Sequence, residues 1–349
     1  MSVAVSGKEM TKGLSPTTTR RSGLARWRWP VLGAGLVVAL AAAARMQTRQ
    51  YLIEFGPYTL AARHGAIAPN PLAITVPVDG WVRGLSYELV DERGEPLPAG
   101  VLHHLNLIAP ERRELFSPIM LRIGAAGPET KPYGLPFFLG YRVHPGDSLL
   151  VTTMLHNPTA REYRGVRLQV RLDYTPANSV IRPWSINPVY VDVTPPSDAH
   201  SFDLPPGRSS SSWEGAPAIP ARLLAAGGHL HKYGTALRFE DLTTGAVIWE
   251  ARPKRDDNGG VEGMPVRYFL PRGVLLQPDH RYRLTAEYEN PTGKVIPNGG
   301  MGTLGGIVLP ASDSRWPAAA RQDSVYQHDV WMTTGPGSPH RRGGHHMSH

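Results

Sequence analysis

The segment GVRLQVRLDY, residues 165–174, largely alternates apolar and polar side chains from Arg167 onward. This alternation is typical of a half-buried antiparallel strand, which turns one face to a core and the other to solvent. Turn-forming sequences such as ERGEP (92–96) and HPGD (144–147) separate further candidate strands, and these show no helical period. The strand candidates are WVRGLSYELVD (81–91), VLHHLNLI (101–108), SLLVTTMLHN (148–157), LLAAGGHLHKYGTALRFED (223–241), GAVIWEA (245–251), YRLTAEYEN (282–290) and LGGIVLP (304–310). Strands at this spacing predict an all-β fold of antiparallel strands, either a sandwich or a jelly roll.

The length of 349 residues is enough for two domains of ordinary size. The 37 glycines and 34 prolines favour strands and turns over long helices. Residues 177–220 are rich in Pro and Ser, and we place a domain boundary near their start. We therefore predict an N-terminal sandwich at 51–176, a C-terminal sandwich at 177–320 and a disordered, His-rich tail at 333–349.

Residues 1–45 have the composition of an export segment. The first 30 residues carry a net charge of +5, and the apolar run Val31–Ala44 follows. Fourteen apolar residues match a signal-peptide core and fall short of the ~20 that span a bilayer comfortably. A cleaved signal, a membrane anchor and a buried helix of a soluble protein all stay open. The basic flank predicts that residues 46–349 are exported, as a single-pass anchored protein or as a secreted or periplasmic one.

The rest of the composition excludes several classes of function. The other 319 residues carry a net charge of only +3, so no basic surface for nucleic acid is expected. The chain has no cysteine, which excludes disulfides, iron–sulfur clusters and thiolate zinc sites.

Six side chains of metal-binding type form two clusters along the sequence. They are His103, His104 and His156, followed by His229, His231 and Met301. Because residues i and i+2 of a strand face the same side, both imidazoles of HLH (229–231) can reach one ion. The adjacent pair His103-His104 can do so only if the backbone bends or the site lies at a strand end. Without a metal, these side chains would be polar residues on solvated strand faces, and Met301 would be core filler.

The donor types indicate which metal would bind. Imidazoles alone suit zinc, copper or iron, whereas a thioether beside two imidazoles favours copper, because soft sulfur holds Cu(I) through a redox cycle. The sequence therefore predicts a three-His site, a two-His-plus-Met site and redox chemistry.

The order HH…H followed by HxH…M resembles the copper type II, ascorbate-dependent monooxygenases. His156 and His229 are 73 residues apart, and His231 and Met301 are 70 residues apart. The resemblance covers roughly residues 75–310, including the PPG turn at 205–207.

The resemblance implies two coppers per chain and a hydroxylation of a C–H bond in a small organic substrate. Dioxygen and an external electron donor such as ascorbate would be the co-substrates. It implies that the three-His cluster (103, 104 and 156) holds the electron-transfer copper. His229, His231 and Met301 would then be the catalytic residues, at the copper where dioxygen is activated. It also implies two packed jelly rolls with the coppers facing each other across a solvent-filled cleft.

The chain departs from the family at several positions. It lacks the family's disulfides, so its sandwiches must be held by core packing. Gly227 stands where the peptide-hydroxylating enzyme has an Arg that grips the substrate carboxylate, and Thr303 and Gly305 stand at two further substrate contacts, so amidation of glycine-ending peptides is not expected. Two other classes remain: a non-catalytic exported copper-binding protein for storage or delivery, and an anchored β-sandwich binding module with incidental histidines.

Overall fold

The computed structural model describes residues 37–43, 45–127, 133–194, 200–255, 260–310 and 316–335. The regular structure is almost entirely β-strand, and the predicted all-β class is confirmed. The strands of the N-terminal half are β1 (Arg49–Leu60), β2 (His64–Ile67), β3 (Leu72–Thr75), β4 (Gly80–Val90), β5 (Leu102–Arg113), β6 (Met120–Ala126), β7 (Tyr133–Gly134), β8 (Leu139–Val143), β9 (Ser148–Asn157) and β10 (Tyr163–Pro176). Those of the C-terminal half are β11 (Trp184–Asp192), β12 (Phe202–Leu204), β13 (Gly207–Gly215), β14 (Ala221–Leu230), β15 (Gly234–Asp241), β16 (Ala246–Ala251), β17 (Lys254–Arg255), β18 (Val261–Gly263), β19 (Arg267–Tyr268), β20 (Val274–Leu276), β21 (Tyr282–Asn290), β22 (Ile296–Gly300) and β23 (Gly302–Pro310).

The N-terminal strands form two sheets that face each other. One sheet has the order β1-β10-β4-β8, and the other has the order β2-β9-β5-β6. Leu85 of β4 touches Gly124 of β6, so the sheets are in direct contact. In β10 the alternation seen in the sequence has its expected result: Val166, Leu168 and Val170 are fully buried, and the residues between them are not.

The C-terminal strands repeat this arrangement. The order β11-β23-β14-β19 forms one sheet, and β13-β21-β15-β16 forms the sheet that covers it. Gly228 of β14 faces Leu237 and Trp249 of the opposite sheet at distances that leave no room for a larger residue. The serine run at 209–212 lies within β13, so the Pro- and Ser-rich stretch contains strands as well as connections.

The two sandwiches share one sheet and one core. β11 pairs in parallel with β8, and this pairing joins the two larger sheets edge to edge across the boundary predicted near residue 177. Phe116, in the connection between β5 and β6, places its ring edge-on to Trp213, Phe239 and Tyr282, with centroids 6.1, 5.9 and 5.8 Å away. Packing of this kind stands in for the disulfides that the chain lacks.

An Asn-Pro-Thr turn occurs once in each sandwich, with the same hydrogen bonds. The side-chain amide of Asn157 donates to three backbone carbonyls, and its oxygen accepts from both the N–H and the hydroxyl of Thr159. Asn290 makes the corresponding five bonds, with Thr292 as its partner. Residues 143–163 and 276–296 align around these turns at a constant separation of 133 positions. The two sandwiches are therefore related by an internal repeat.

The C-terminal helix α1 (Ser324–Thr334) was not predicted from the sequence. Asp323 caps its N-terminus by accepting from Val325 and Tyr326. Inside the helix, Asp329 forms a buried ion pair with Arg122 of β6 and also accepts from the Met120 N–H at 2.9 Å. The predicted disordered tail begins at residue 333, within this helix; its residues 336–349 lie outside the described residues.

Residues 37–43, the described part of the apolar run, are helical. The rest of the predicted export segment before residue 37 lies outside the described residues. No helix in the described part of the chain is long and apolar enough to cross a bilayer.

Candidate metal sites

The first cluster is built on a β-bulge. Leu102 of β5 pairs with Leu155 of β9, and the next register pair is His104 with Met154, so His103 is the extra residue. The bulge turns the two neighbouring histidines to one side, where their rings stack 4.1 Å apart. His156, at the end of β9, meets His103 edge-on at 5.6 Å. The structure therefore brings the three predicted ligands of this cluster together, by the backbone bend that the sequence required.

Ring spacing tests how well this cluster would suit one ion. Two imidazoles that bind a metal at roughly 2.0 Å with a near-tetrahedral angle have ring centroids about 5 Å apart. The spacing of His103 and His156 meets this condition. The stacked rings of His103 and His104 are too close and too nearly parallel, so one ring would have to rotate. Among the described residues, no group of three or more His, Cys, Asp or Glu side chains is arranged to hold a metal ion. The first cluster thus fits a metal in part.

The second cluster lies where the pairing of β14 with β23 ends. Leu230 and Gly302 are the last register pair, so His231 and Met301 are the next residues beyond it. The rings of His229 and His231 are perpendicular with centroids 5.3 Å apart, a spacing that suits two ligands of one ion. The structure therefore brings these two predicted ligands into ring contact and places the Met301 backbone opposite His231.

A buried tyrosine hydroxyl joins the segments that carry these ligands. Tyr288 of β21 is 2% exposed. Its hydroxyl accepts from the backbone N–H of His231 at 3.2 Å and from that of Met301 at 2.9 Å, and it donates to the Met301 carbonyl. Burial raises the pKa of Tyr288 to about 12, so the phenol keeps its proton and can donate. No sequence motif pointed to Tyr288. The internal repeat could have done so, because the equivalent position in the N-terminal sandwich is the apolar Leu155.

His229 lies in an environment that keeps it neutral. Burial lowers the pKa of its imidazole to about 4, and the nearby Asp192 carboxylate works in the opposite direction. A neutral imidazole is the form that binds a metal. Asp192 and His229 flank Thr303 as its register partners on the neighbouring strands. The Asp192 carboxylate in turn bonds to the Tyr190 hydroxyl at 2.6 Å, which fixes it beside the cluster.

Two glycines open the sheet next to His229. Gly227 and Gly305 are register partners on β14 and β23. Nothing lies within 4 Å of the position that a Gly305 Cβ would take, and Val266 is the nearest neighbour of Gly227 at 3.1 Å. The sheet surface beside the second cluster therefore consists of backbone at Gly227 and Gly305. Neither position supplies a positively charged side chain that could hold a carboxylate.

No protein-family model matches the chain, and no curated protein matches it. Among solved structures, the chain is similar to one described as "Recombinant peptide: N-glycanase F (PNGase F)". The TM-score is 0.40 and the identity 11%, over 76% of this chain and 96% of that one. It is also similar to PNGF-II, with a TM-score of 0.38 and 8% identity over 76% of this chain and 66% of that one. The STIV MCP gives a TM-score of 0.32 and 9% identity over 70% of this chain and 97% of that one. At TM-scores this low the likeness carries no information about function.

Proposed function

We propose that this chain is an exported, copper-dependent monooxygenase that hydroxylates a C–H bond of a small organic substrate, using dioxygen and an external reductant such as ascorbate. The observation that carries the proposal is the Tyr288 hydroxyl, which fixes the backbones of His231 and Met301 beside the ring pair His229–His231. Two imidazoles and a thioether bound to one ion would form a donor set that favours Cu(I) over zinc.

In this proposal the two clusters have different roles. His229, His231 and Met301 would hold the copper that meets dioxygen, and the three-His cluster around the β5 bulge would hold a copper that supplies electrons. Copper at these clusters would provide one-electron redox chemistry and dioxygen activation. The protein's own contribution is to keep His229 neutral by burial, to position Met301 through Tyr288 and to leave the substrate side open.

The substrate in this proposal is small and is not held by a carboxylate clamp. The positions next to the second cluster are Gly227, Thr303 and Gly305, none of which carries a positive charge. Gly305 is exposed with open space above it. The proposed substrate therefore lies against backbone and is selected mainly by shape and apolar contact.

Copper content and oxygen consumption test the proposal together. The purified chain, loaded with copper and then dialysed, should retain two coppers, and His156→Ala and His229→Ala should each lose one. Oxygen uptake with ascorbate and a panel of small organic compounds should then yield a hydroxylated product. A protein that binds two coppers without turning over any compound would instead be the storage or delivery protein. Loss of no copper in either variant would overturn the metal proposal.

A further inference from the structure

Three segments of the chain meet at one end of the N-terminal sandwich. The Gln47 side-chain oxygen accepts from the backbone N–H of Val180 at 2.8 Å and of Ile181 at 3.4 Å. Arg83 donates both to the Thr48 hydroxyl at 3.2 Å and to the Leu135 carbonyl at 3.3 Å. The point at which the chain enters the folded unit is thereby fixed against the loops 133–138 and 178–184.

This end of the sandwich exposes large apolar side chains. Val180 is 93% exposed, Met46 is 82% exposed and Trp184 is 59% exposed. The Trp184 ring contacts Phe138 at 5.9 Å, and Phe138 contacts Phe137 at 5.4 Å, so the segments 133–138 and 178–184 share one aromatic cluster in which Trp184 is exposed and both phenylalanines are half-buried. Single exposed apolar residues are ordinary, but a contiguous set marks a contact surface.

The charged side chains of these three segments are all positive. Residues 45–50, 133–138 and 178–184 contain three arginines and neither Asp nor Glu. Arg45, Arg49 and Arg182 are all exposed. Tryptophan with arginine around apolar side chains is the composition of a surface that lies in the headgroup region of a membrane.

The position of this surface in the chain identifies what covers it. The apolar run Val31–Ala44 ends immediately before Arg45, and three residues connect Ala44 to Gln47. Three residues span at most about 10 Å, which is similar to the thickness of the interfacial layer on one side of a bilayer. If the Ala44 end of the apolar run lies at a lipid surface, Val180 is therefore held near that surface.

We propose that Met46, Phe137, Phe138, Val180 and Trp184, with the three arginines, form a membrane-facing surface that rests on an anionic lipid bilayer. This surface sets the orientation of the N-terminal sandwich on the membrane. The proposal does not depend on copper or on catalysis, since none of these residues belongs to either metal cluster.

The absence of cysteine allows a direct test in the full-length chain. Val180→Cys is labelled with an environment-sensitive fluorophore, and the chain is reconstituted with vesicles of phosphatidylcholine and phosphatidylglycerol that contain a spin-labelled lipid. The label should shift to the blue and be quenched several-fold more strongly than on the matched control Val247→Cys. Val247 is also exposed, at 45%, but lies on β16 of the C-terminal sandwich. Because Val180 is almost fully exposed, its replacement removes little packing.

Each outcome of the quenching experiment either supports or overturns the proposal. Equal quenching at the two positions, or a full-length chain that does not bind the vesicles, would overturn the proposal. A second preparation with phosphatidylcholine alone tests the arginines: quenching at Val180 should be weaker there. Equal quenching in neutral and anionic vesicles would refute the assignment to an anionic surface.

Discussion

Replacing Tyr288 with Phe should damage the second metal cluster more than the fold. The substitution removes one hydroxyl and leaves two backbone N–H groups, of His231 and Met301, and the Met301 carbonyl without this partner. A buried polar group left unsatisfied costs about 1–3 kcal/mol. His231 and Met301 lie beyond the end of the β14–β23 pairing, so the backbone there can relax and recover part of that cost. We therefore expect Tyr288→Phe to lower the free energy of unfolding by about 2–4 kcal/mol.

The effect on copper should be specific to one site. A residue that orients metal ligands typically contributes about 10–100-fold to metal affinity. Tyr288→Phe should therefore weaken the copper at His229, His231 and Met301 by that factor. The copper at the three-His cluster should be retained. Copper titration of the folded variant, together with urea denaturation, measures both quantities.

Tyr282→Phe is the matched control. Tyr282 lies on the same strand and is fully buried, and its hydroxyl accepts from the Gln277 N–H at 2.9 Å, away from the metal clusters. This control should lose stability while both copper affinities stay unchanged. If Tyr288→Phe binds two coppers with unaltered affinity, the hydroxyl does not position the ligands and the reasoning is refuted.

Three further perturbations have defined outcomes. Met301→His should keep nearly normal copper content but reduce turnover at least ~100-fold, because a harder ligand favours Cu(II); unchanged activity would remove Met301 from the ligand set. Burial raises the pKa of Glu114 to about 8 from an ordinary value of 4.5. The contribution of this side chain to the free energy of unfolding is therefore most favourable below pH 4.5 and is lost as pH rises to about 8. Urea denaturation across that range should show stability falling, and Glu114→Gln should flatten the fall; an identical pH profile in the variant would contradict this. Asn157→Ala and Asn290→Ala should destabilise the fold to a similar degree, by about 2–4 kcal/mol each, because they remove matching sets of bonds; calorimetry that finds only one of them destabilising would contradict the repeat.

Local pattern was enough to locate most of the long strands, although β1, β11 and β13 were not among the candidates. The segments 148–157 and 282–290 were predicted with the bounds of β9 and β21, because an apolar, β-branched or alternating run between strong turn signals defines a strand without reference to the rest of the chain. The parallel pairing of β8 with β11 could not be predicted in this way, since nothing in either short segment specifies its partner. Helix α1 was missed for a related reason: the buried ion pair of Asp329 with Arg122 joins residues far apart in sequence.

The closeness of the clustered histidines was predictable from the sequence, but the orientation of their rings was not. The sequence required a backbone bend for His103 and His104 to share a side, and the bulge in β5 supplies it. The sequence did not predict that their rings would stack at 4.1 Å, because ring orientation depends on contacts with residues far away in the sequence. Ligand type can be read from the chain, whereas ring orientation is decided by tertiary contacts.

The internal repeat explains why Tyr288 is better understood as part of the site than as part of the core. At the equivalent position the N-terminal sandwich has Leu155, which is fully buried, so the fold is satisfied there by an apolar side chain. Burying a hydroxyl costs free energy unless it is hydrogen-bonded. The Tyr288 hydroxyl is bonded to the backbone of His231 and Met301, where the pairing of β14 with β23 has ended. His231 and Met301 lie beyond the last ladder pair, so the pleat no longer fixes their direction. The Tyr288 hydroxyl replaces the missing ladder bonds at His231 and Met301, and the proposed two-His-plus-Met copper site would need the backbone held at these two residues.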